Sequence, residues 1–247
     1  MKERIKQYLK GHPLIYGALI TVRAFVQSPD QDPLKTELKR LLGTRQAVFF
    51  IQIGSNDGLQ GDPIHELIIK NKDWTGIFIE PVKCVFDRLR CNYENSTRFV
   101  FENVAIGTER ETREFYYISD EAKKLFKGDL PFWYDQLGSF DKQHILKHLD
   151  GALEPYIVTE RIECVLLDDI LSRNSVGRID LLHIDTEGFD YKVLCQIDFD
   201  KYTPSIVLYE DRHLTTDERQ SAETLLIAHG YRLTRYDGDT MAVFTGS

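Results

Sequence analysis

The sequence predicts an α/β fold in which helices cover both faces of a mostly parallel sheet. Short apolar runs alternate with stretches of helical spacing over most of the chain. Residues 48–53 are β-branched, aromatic or otherwise apolar except for Gln52, which is typical of a strand buried on both faces of a parallel sheet. A glycine-rich turn follows directly, and a helical pattern begins near Pro63.

A predicted helical extension, residues 1–46, precedes the region that contains the sheet, residues 47–247. Helical spacing of apolar residues in 5–26 indicates one or two amphipathic helices that pack on the sheet region or on a second subunit. A homo-oligomer formed through these helices is therefore one expectation. The apolar run is interrupted by Arg23 and is shorter than the roughly 20 residues of a spanning helix, so we expect no signal peptide and no membrane span.

The turn after the first predicted strand contains Gly54, Ser55, Asn56, Asp57 and Gly58. In α/β folds, a strand that leads into a glycine turn and a helix forms a nucleotide site at the carboxyl end of the sheet. Glycine allows a sharp turn and a close approach of the backbone to a ligand. A tight turn that serves geometry alone is the alternative interpretation.

A carboxylate ends the second predicted strand, because Glu80 follows the apolar residues 76–79. It lies 26 residues after Gly54, about one βαβ unit later. An acidic side chain at this strand tip can accept hydrogen bonds from both hydroxyls of a ribose. The alternative is a solvated glutamate at the end of a strand.

The composition of the turn favours S-adenosylmethionine over NAD as the nucleotide. The glycines at 54, 58 and 61 do not form the G-x-G-x-x-G fingerprint of a dinucleotide site. Asp57 would repel a pyrophosphate, whereas it would attract the ammonium and sulfonium groups of S-adenosylmethionine.

The pattern next predicts a helix at 83–93, a third strand at 98–101 and a strand at 115–118 along the edge of the sheet. Residues 121–155 then interrupt the alternation. We predict that this insertion caps an acceptor pocket, the alternative being an aromatic cluster that anchors a long crossover. Its aromatic residues and paired histidines include Phe132, Trp133, Tyr134, Phe140, His144 and His148.

The alternation resumes with predicted strands at 157–167, 179–184 and 205–209. Carboxylates follow the last two strands, namely Asp185 after one and the pair Glu210 and Asp211 after the other. A predicted helix at 215–230 ends at a glycine, and a hairpin around residues 237–238 closes the chain.

The composition is that of an ordinary soluble globular protein, with 42% hydrophobic and 28% charged residues. The formal net charge of −8 argues against broad binding to nucleic acid or anionic membranes, which requires clustered Lys and Arg. The four cysteines form no C-x-x-C pair, which indicates reduced thiols and predicts a cytoplasmic protein.

Several motifs together resemble the FkbM-type methyltransferases: IQIGSNDG, FIEP, ENVAIG, LLDDIL, IDLLHIDTEGFDYKVL, a strand that ends in YED, and LIAHGY. The resemblance covers residues 48–244. That family usually has Lys where this chain has His183, and Val where it has Thr186. The resemblance implies a Rossmann-like class I methyltransferase fold, with a mostly parallel seven-stranded sheet and a C-terminal antiparallel hairpin. It also implies S-adenosylmethionine-dependent methylation of a hydroxyl on a sugar or secondary metabolite.

The same resemblance implies roles for individual residues at the strand tips. They are Gly54, Asn56, Asp57 and Gly58 for the methionine end of the cofactor, Glu80 for the ribose, Glu102, Asn103, Val104 and Ala105 for adenine, and Asp185 facing the departing methyl group.

Methylation of a hydroxyl requires removal of its proton, and two arrangements stay open. In the first, a histidine is the base, with His144 and His148 ahead of His183 and His213 as candidates. In the second, a divalent cation such as Mg²⁺ holds the acceptor. Its predicted ligands are Asp185, Glu210 and Asp211, for which helix capping is the alternative role.

The function predicted first is an S-adenosylmethionine-dependent O-methyltransferase that acts on a small-molecule acceptor and not on nucleic acid. An NAD-linked oxidoreductase is the alternative enzyme. A non-catalytic cofactor-binding or scaffold protein is the third hypothesis.

Overall fold

The computed structural model describes residues 32–122, 137–147 and 153–246, and the chain divides into two units between Thr44 and Arg45. In the first unit, helix α1 (Pro33–Leu42) begins at Asp32, whose carboxylate accepts hydrogen bonds from the amides of Leu34 and Lys35. This helix lies within the helical extension predicted for residues 1–46. The amphipathic helices predicted within residues 5–26, and with them the proposed oligomer contact, lie outside the described residues.

The described residues of the second unit contain ten strands, and seven of them form one sheet in the order β3-β2-β1-β7-β8-β10-β9. All neighbours in this sheet run parallel except β10, which is antiparallel to both β8 and β9. The predicted mostly parallel seven-stranded sheet with a C-terminal antiparallel hairpin is therefore confirmed. The strands are β1 (Phe49–Ile53), β2 (Thr75–Ile79), β3 (Phe99–Glu102), β4 (Ala105–Ile106), β5 (Glu111–Ile118), β6 (Ile157–Val165), β7 (Leu181–Ile184), β8 (Ile206–Glu210), β9 (Tyr231–Arg235) and β10 (Asp239–Phe244).

The central strands are buried on both faces, as their continuous apolar sequences predict. Four of the five residues of β1 and of β2 are buried, as are all four of β7. Burial at this density supplies the main stabilisation of the sheet, at roughly 1.5–3 kcal/mol for each fully buried large apolar side chain. The sheet is therefore a rigid support whose strand tips hold their side chains in fixed positions.

Seven helices connect the strands of the second unit within the described residues. The longest, α8, begins with a capping box in which Thr215 and Glu218 satisfy each other's backbone amides, and it ends before Gly230, whose φ is 82°. The helix predicted at 215–230 is thus confirmed. The helices are α2 (His65–Lys70), α3 (Lys83–Asn92), α4 (Lys142–Leu146), α5 (Leu167–Arg173), α6 (Asp190–Leu194), α7 (Phe199–Tyr202) and α8 (Thr216–Ala228).

A second sheet of three strands, in the order β4-β6-β5, corrects the position predicted for residues 115–118. Strand β5 does not extend the edge of the large sheet, because it pairs with β6 along its whole length, from Glu111 opposite Cys164 to Ile118 opposite Ile157. The apolar side chains of this small sheet form their own cluster, to which Phe115 and Ile162 belong. Strands β5 and β6 are therefore an insertion that lies outside the parallel sheet.

The four cysteines are free, and Cys164 alone among them is buried. Across the described ranges, the helices are all too short or too polar to cross a lipid bilayer.

Candidate active site

A cavity of about 490 Å³ opens at the carboxyl ends of β2, β1, β7 and β8. Polar side chains from these strand tips line its floor, whereas residues of the second sheet and of the segment 137–140 line its apolar wall. Phe140 is held in this wall by aromatic contacts, with its ring centre 5.0 Å from that of Phe115, which it meets edge-on, and 5.6 Å from the tilted ring of Phe189. Ligands of open α/β sheets bind at this edge, so the cavity is the candidate active site.

The turn after β1 brings the backbone of Gly54 against the backbone at the tip of β7. The φ of Gly54 is 76°, and a Cβ added there would lie 1.7 Å from the carbonyl oxygen of Asp185. The amides of Gly54 and Ser55 both donate to the carbonyl oxygen of Ile79, at 3.0 and 3.1 Å. Glycine is thus required at position 54, and the turn joins the tips of β1, β2 and β7.

The remaining predicted residues of this turn serve its geometry rather than the cavity. The carboxylate of Asp57 accepts hydrogen bonds from the amides of Leu59 and Gln60, at 2.9 and 3.0 Å. A Cβ at Gly58 would meet the side chains of Leu89 on α3 and of Tyr93 directly after that helix, each at 2.6 Å. Neither Asp57 nor Gly58 lines the cavity, whereas Gly54, Ser55 and Asn56 do.

Glu80 lines the cavity and is fixed by two backbone amides. One carboxylate oxygen accepts from Asn56 and the other from Val82, both at 2.9 Å. Burial raises the pKa of Glu80 to about 7, although these two hydrogen bonds act in the opposite direction. Because each carboxylate oxygen can accept more than one hydrogen bond, Glu80 keeps capacity for two hydroxyl groups of a ligand.

Of the four residues predicted to contact adenine at the end of β3, only two line the cavity. Val104 and Ala105 line it, whereas Glu102 forms an ion pair with Arg173, at 2.8 Å. The side-chain amide of Asn103, through Nδ2, donates to the backbone carbonyl oxygens of Glu80 and Pro81, at 2.8 and 2.9 Å. Asn103 therefore supports the loop that carries Glu80.

A cluster of carboxylates occupies the tips of β7 and β8. Asp185, Glu187 and Glu210 each bring one carboxylate oxygen within 4.8 Å of the others. The side chain of Asp185 is exposed to the cavity, although protein atoms surround its carboxylate closely. Burial raises the pKa of both Asp185 and Glu210 well above the ordinary values, and mutual repulsion, including that of Glu187, adds to the effect.

Asp211 does not belong to this cluster, which corrects the ligand set predicted for a cation. Its carboxylate is buried and accepts a hydrogen bond from the Thr240 hydroxyl at 2.7 Å, and it does not line the cavity. Glu187, which the sequence analysis did not single out, stands in the position expected for Asp211. The only sequence signal for Glu187 was its position directly after Asp185 and Thr186, in the turn between β7 and α6.

Two histidines converge on Glu187. The Nε2 atom of His144 lies 3.0 Å from Glu187 Oε2, and the Nε2 atom of His213 lies 3.3 Å from the same oxygen. His213 lines the cavity, and the ring centres of the two histidines are 4.7 Å apart. His148 lies outside the described residues, as do Phe132, Trp133 and Tyr134, so the predicted cap over the cavity stays a prediction.

A buried polar pair also lines the cavity, of which the sequence analysis considered only His183, as a candidate base. Gln52 of β1 and His183 of β7 are register partners, and each is less than 5% exposed. Within the described part of the chain, Gln52 Oε1 and His183 Nδ1 have no hydrogen-bond partner. Burial lowers the pKa of His183 to about 4, so this histidine is neutral at physiological pH and can bind a ligand without adding charge.

Asp190 fixes the loop that carries Glu187. Its Oδ2 accepts hydrogen bonds from the Thr186 hydroxyl and the Gly188 amide, at 2.9 and 3.3 Å. The side chain is fully buried, and burial raises its pKa to about 7. Because the folded state holds this proton more tightly than the unfolded state does, the resulting stabilisation is present at low pH and is lost as pH rises towards 7.

We therefore expect the Asp190→Asn variant to gain stability relative to the native chain as pH rises from 5 to 7.5. The gain should be roughly 2–3 kcal/mol, because a pKa difference of one unit corresponds to about 1.4 kcal/mol. Urea denaturation of both proteins across this range measures it, with the exposed Asp200→Asn as the control variant. A difference that stays constant with pH would contradict the raised pKa.

The strand order and the position of the cavity are those of the class I methyltransferase fold. Residues 52–233 match the methyltransferase FkbM domain, so the chain belongs to the FkbM methyltransferase family. The resemblance inferred from the motifs is confirmed by this match. A comparison with curated proteins finds no match.

Solved structures similar to the chain include the following three, each at low identity. The N-terminal domain of human METTL16 is 12% identical, with 85% of this chain and 68% of that chain covered and a TM-score of 0.45. The Methanococcus jannaschii fibrillarin pre-rRNA processing protein is 7% identical, with coverage of 87% and 77% and a TM-score of 0.44. A ribosomal protein L11 methylase from Lactobacillus delbrueckii subsp. bulgaricus is 8% identical, with coverage of 85% and 74% and a TM-score of 0.39.

Proposed function

We propose that this protein is an S-adenosylmethionine-dependent O-methyltransferase that acts on a hydroxyl group of a small molecule. The observation that carries the proposal is a single cavity with two different ends. Gly54 and Glu80 lie at the tips of β1 and β2, and the acidic cluster with His213 lies at the tips of β7 and β8. One end suits a nucleoside, and the other offers groups that can take a proton from an acceptor.

The lining of the cavity fits S-adenosylmethionine. The missing side chain at Gly54 leaves backbone accessible at the floor, and Gln52 Oε1 and His183 Nδ1 are buried atoms without partners in the described residues. Glu80 can accept the two ribose hydroxyls, and Val104 with Ala105 offers an apolar surface for adenine. The acidic groups around Asp185 favour a ligand that carries positive charge.

When bound, S-adenosylmethionine supplies a methyl group, whose transfer to the acceptor oxygen breaks the carbon–sulfur bond and leaves the electron pair on sulfur. The protein contributes orientation and proton removal. We assign the proton-accepting role to Asp185, because its carboxylate faces the cavity at the switch between β1 and β7. Phe140 and Phe189 form the wall against which an acceptor of sugar or aromatic character packs.

The proposal predicts that Glu80→Ala weakens binding of S-adenosylhomocysteine about tenfold to a hundredfold, since hydrogen bonds to a charged acceptor contribute roughly 1.5–3 kcal/mol. Isothermal titration calorimetry of the folded variant measures this. Glu102→Ala is a matched control, because that carboxylate is paired with Arg173 outside the cavity and its loss should leave affinity unchanged.

Titration with NAD under the same conditions distinguishes the methyltransferase proposal from the oxidoreductase alternative. Binding of NAD without binding of S-adenosylhomocysteine would overturn the proposal. Equal affinities in the native chain and Glu80→Ala would remove Glu80 from the ribose site.

A further inference from the structure

We infer that His144, Glu187 and His213 bind one divalent transition-metal ion at the acceptor end of the cavity. The three residues come from separate parts of the chain, namely helix α4, the loop after β7 and the loop after β8. No local sequence pattern brings them together, so their convergence is a property of the fold. Two imidazoles and one carboxylate form a donor set that holds Mn²⁺, Fe²⁺, Co²⁺ or Zn²⁺.

The distances between the donor atoms suit one ion. Both histidine Nε2 atoms lie close to the same carboxylate oxygen, at 3.0 and 3.3 Å, and one donor atom from each of the three residues lies within 4.8 Å of the others. Metal–ligand bonds of about 2.0–2.2 Å place neighbouring donors roughly 3.0–3.5 Å apart. Small side-chain adjustments are therefore enough to form the coordination.

The charge around these donors supplies an independent argument. Asp185 and Glu210 form a second group with the same Glu187, which concentrates three carboxylates in one enclosed region. Glu210 Oε2 is inaccessible to solvent and has no hydrogen-bond partner among the described residues. A divalent cation bound to Glu187 would offset the repulsion between these carboxylates, which a hydrogen bond between histidine and glutamate does only in part.

The inferred site differs in chemistry from the Mg²⁺ site that the sequence predicts. Mg²⁺ prefers an octahedral shell of oxygen ligands and retains water, whereas two of the three donors here are imidazole nitrogens. Asp211, a ligand in the predicted set, points instead to Thr240. We therefore expect a preference for Co²⁺, Mn²⁺ or Zn²⁺ over Mg²⁺.

The position of the ion relative to the cavity gives the ion a role in the proposed methyl transfer. This catalytic role rests on the proposed function. Glu187 and His213 line the cavity, so coordination positions not used by the protein face the acceptor. A hydroxyl bound there becomes more acidic, because the cation stabilises the developing oxyanion. Asp185 is close enough to Glu187 to take the released proton.

Titration of the full chain with Co²⁺, in the absence of cofactor and acceptor, tests the inference. We expect one Co²⁺ per chain by calorimetry, visible absorption bands of a nitrogen- and oxygen-ligated ion, and no displacement by equimolar Mg²⁺. His144→Ala, His213→Ala and Glu187→Gln should each weaken binding at least about tenfold, the loss expected when a group that holds or orients a metal is removed. His229→Ala is the matched control, because His229 is exposed at the end of α8 and stacks on Phe199.

Thermal denaturation of each variant shows whether it folds, and His213→Asn provides a second, smaller change at the same position. Equal Co²⁺ affinity in the native chain and in folded His213 variants, or no stoichiometric binding at all, would overturn the metal site. If the chain binds S-adenosylhomocysteine but does not bind Co²⁺, the proposed function stands and the metal site is rejected. If the chain binds Co²⁺ but does not bind S-adenosylhomocysteine, the metal site stands and the proposed function is rejected.

Discussion

Gly54→Ala should abolish detectable binding of S-adenosylhomocysteine and destabilise the fold. The added Cβ would lie 1.7 Å from the carbonyl oxygen of Asp185, and a φ of 76° is itself unfavourable for alanine. Neither backbone can move easily, because the Asp185 amide donates to the carbonyl oxygen of Ile53 at 2.9 Å. We expect a loss of roughly 3 kcal/mol or more in unfolding free energy, from strain and separation of the strand tips.

The loss of cofactor affinity should exceed the Glu80→Ala effect and reach at least about a thousandfold, since the whole turn must shift and each 1.4 kcal/mol is a factor of ten. Calorimetry well below the melting temperature, with urea denaturation in parallel, separates affinity from stability. Gly177→Ala is the matched control, because nothing lies within 4 Å of a Cβ at that position. Native-like affinity in Gly54→Ala would show that the contact with Asp185 relaxes at little cost.

Asp185→Asn should lower turnover by about 10²–10⁴ while cofactor affinity changes little, because removal of a positioned general base has effects of this size. The amide keeps the shape of the side chain but cannot take the proton of the acceptor. Single-turnover methyl transfer and calorimetry with S-adenosylhomocysteine measure the two quantities separately.

Asp211→Asn provides a control of the same chemistry on the neighbouring strand tip. Its amide oxygen can still accept the hydrogen bond from Thr240, and its side chain does not line the cavity. We expect turnover close to the native rate. If Asp185→Asn retained native turnover, proton removal would belong to another group of the cluster. If Asp211→Asn lost as much as Asp185→Asn, the assignment of Asp185 would be wrong.

The central sheet and the end of the cavity proposed for the cofactor were predictable because their signals are local. A continuous apolar strand, a glycine turn and a carboxylate at the next strand tip each occupy a few consecutive residues, and Gly54 and Glu80 do face the cavity. Asp57 shows the limit of this reasoning. A turn aspartate bonds its own backbone amides as readily as it meets a ligand, and here it does the former.

The acidic end was predicted only in part, for a geometric reason. Successive residues of an extended strand point to opposite sides, so Glu210 and Asp211 cannot both face one cavity. The pairing of Glu102 with Arg173 and the separate sheet of β5 and β6 depend on contacts between distant parts of the chain. The approach of His144 to Glu187 is of the same kind, since 43 positions separate the two residues.

The contact between His144 and Glu187 also limits how this enzyme can be re-engineered. Helix α4 belongs to the region between the third and fourth core strands of the large sheet, yet it delivers a side chain to the acidic cluster. Grafting this region from a related chain would therefore exchange a ligand of the inferred metal site together with the pocket wall. The inferred metal site predicts that chimeras intended to alter acceptor choice lose activity unless they retain a histidine at this position of the helix.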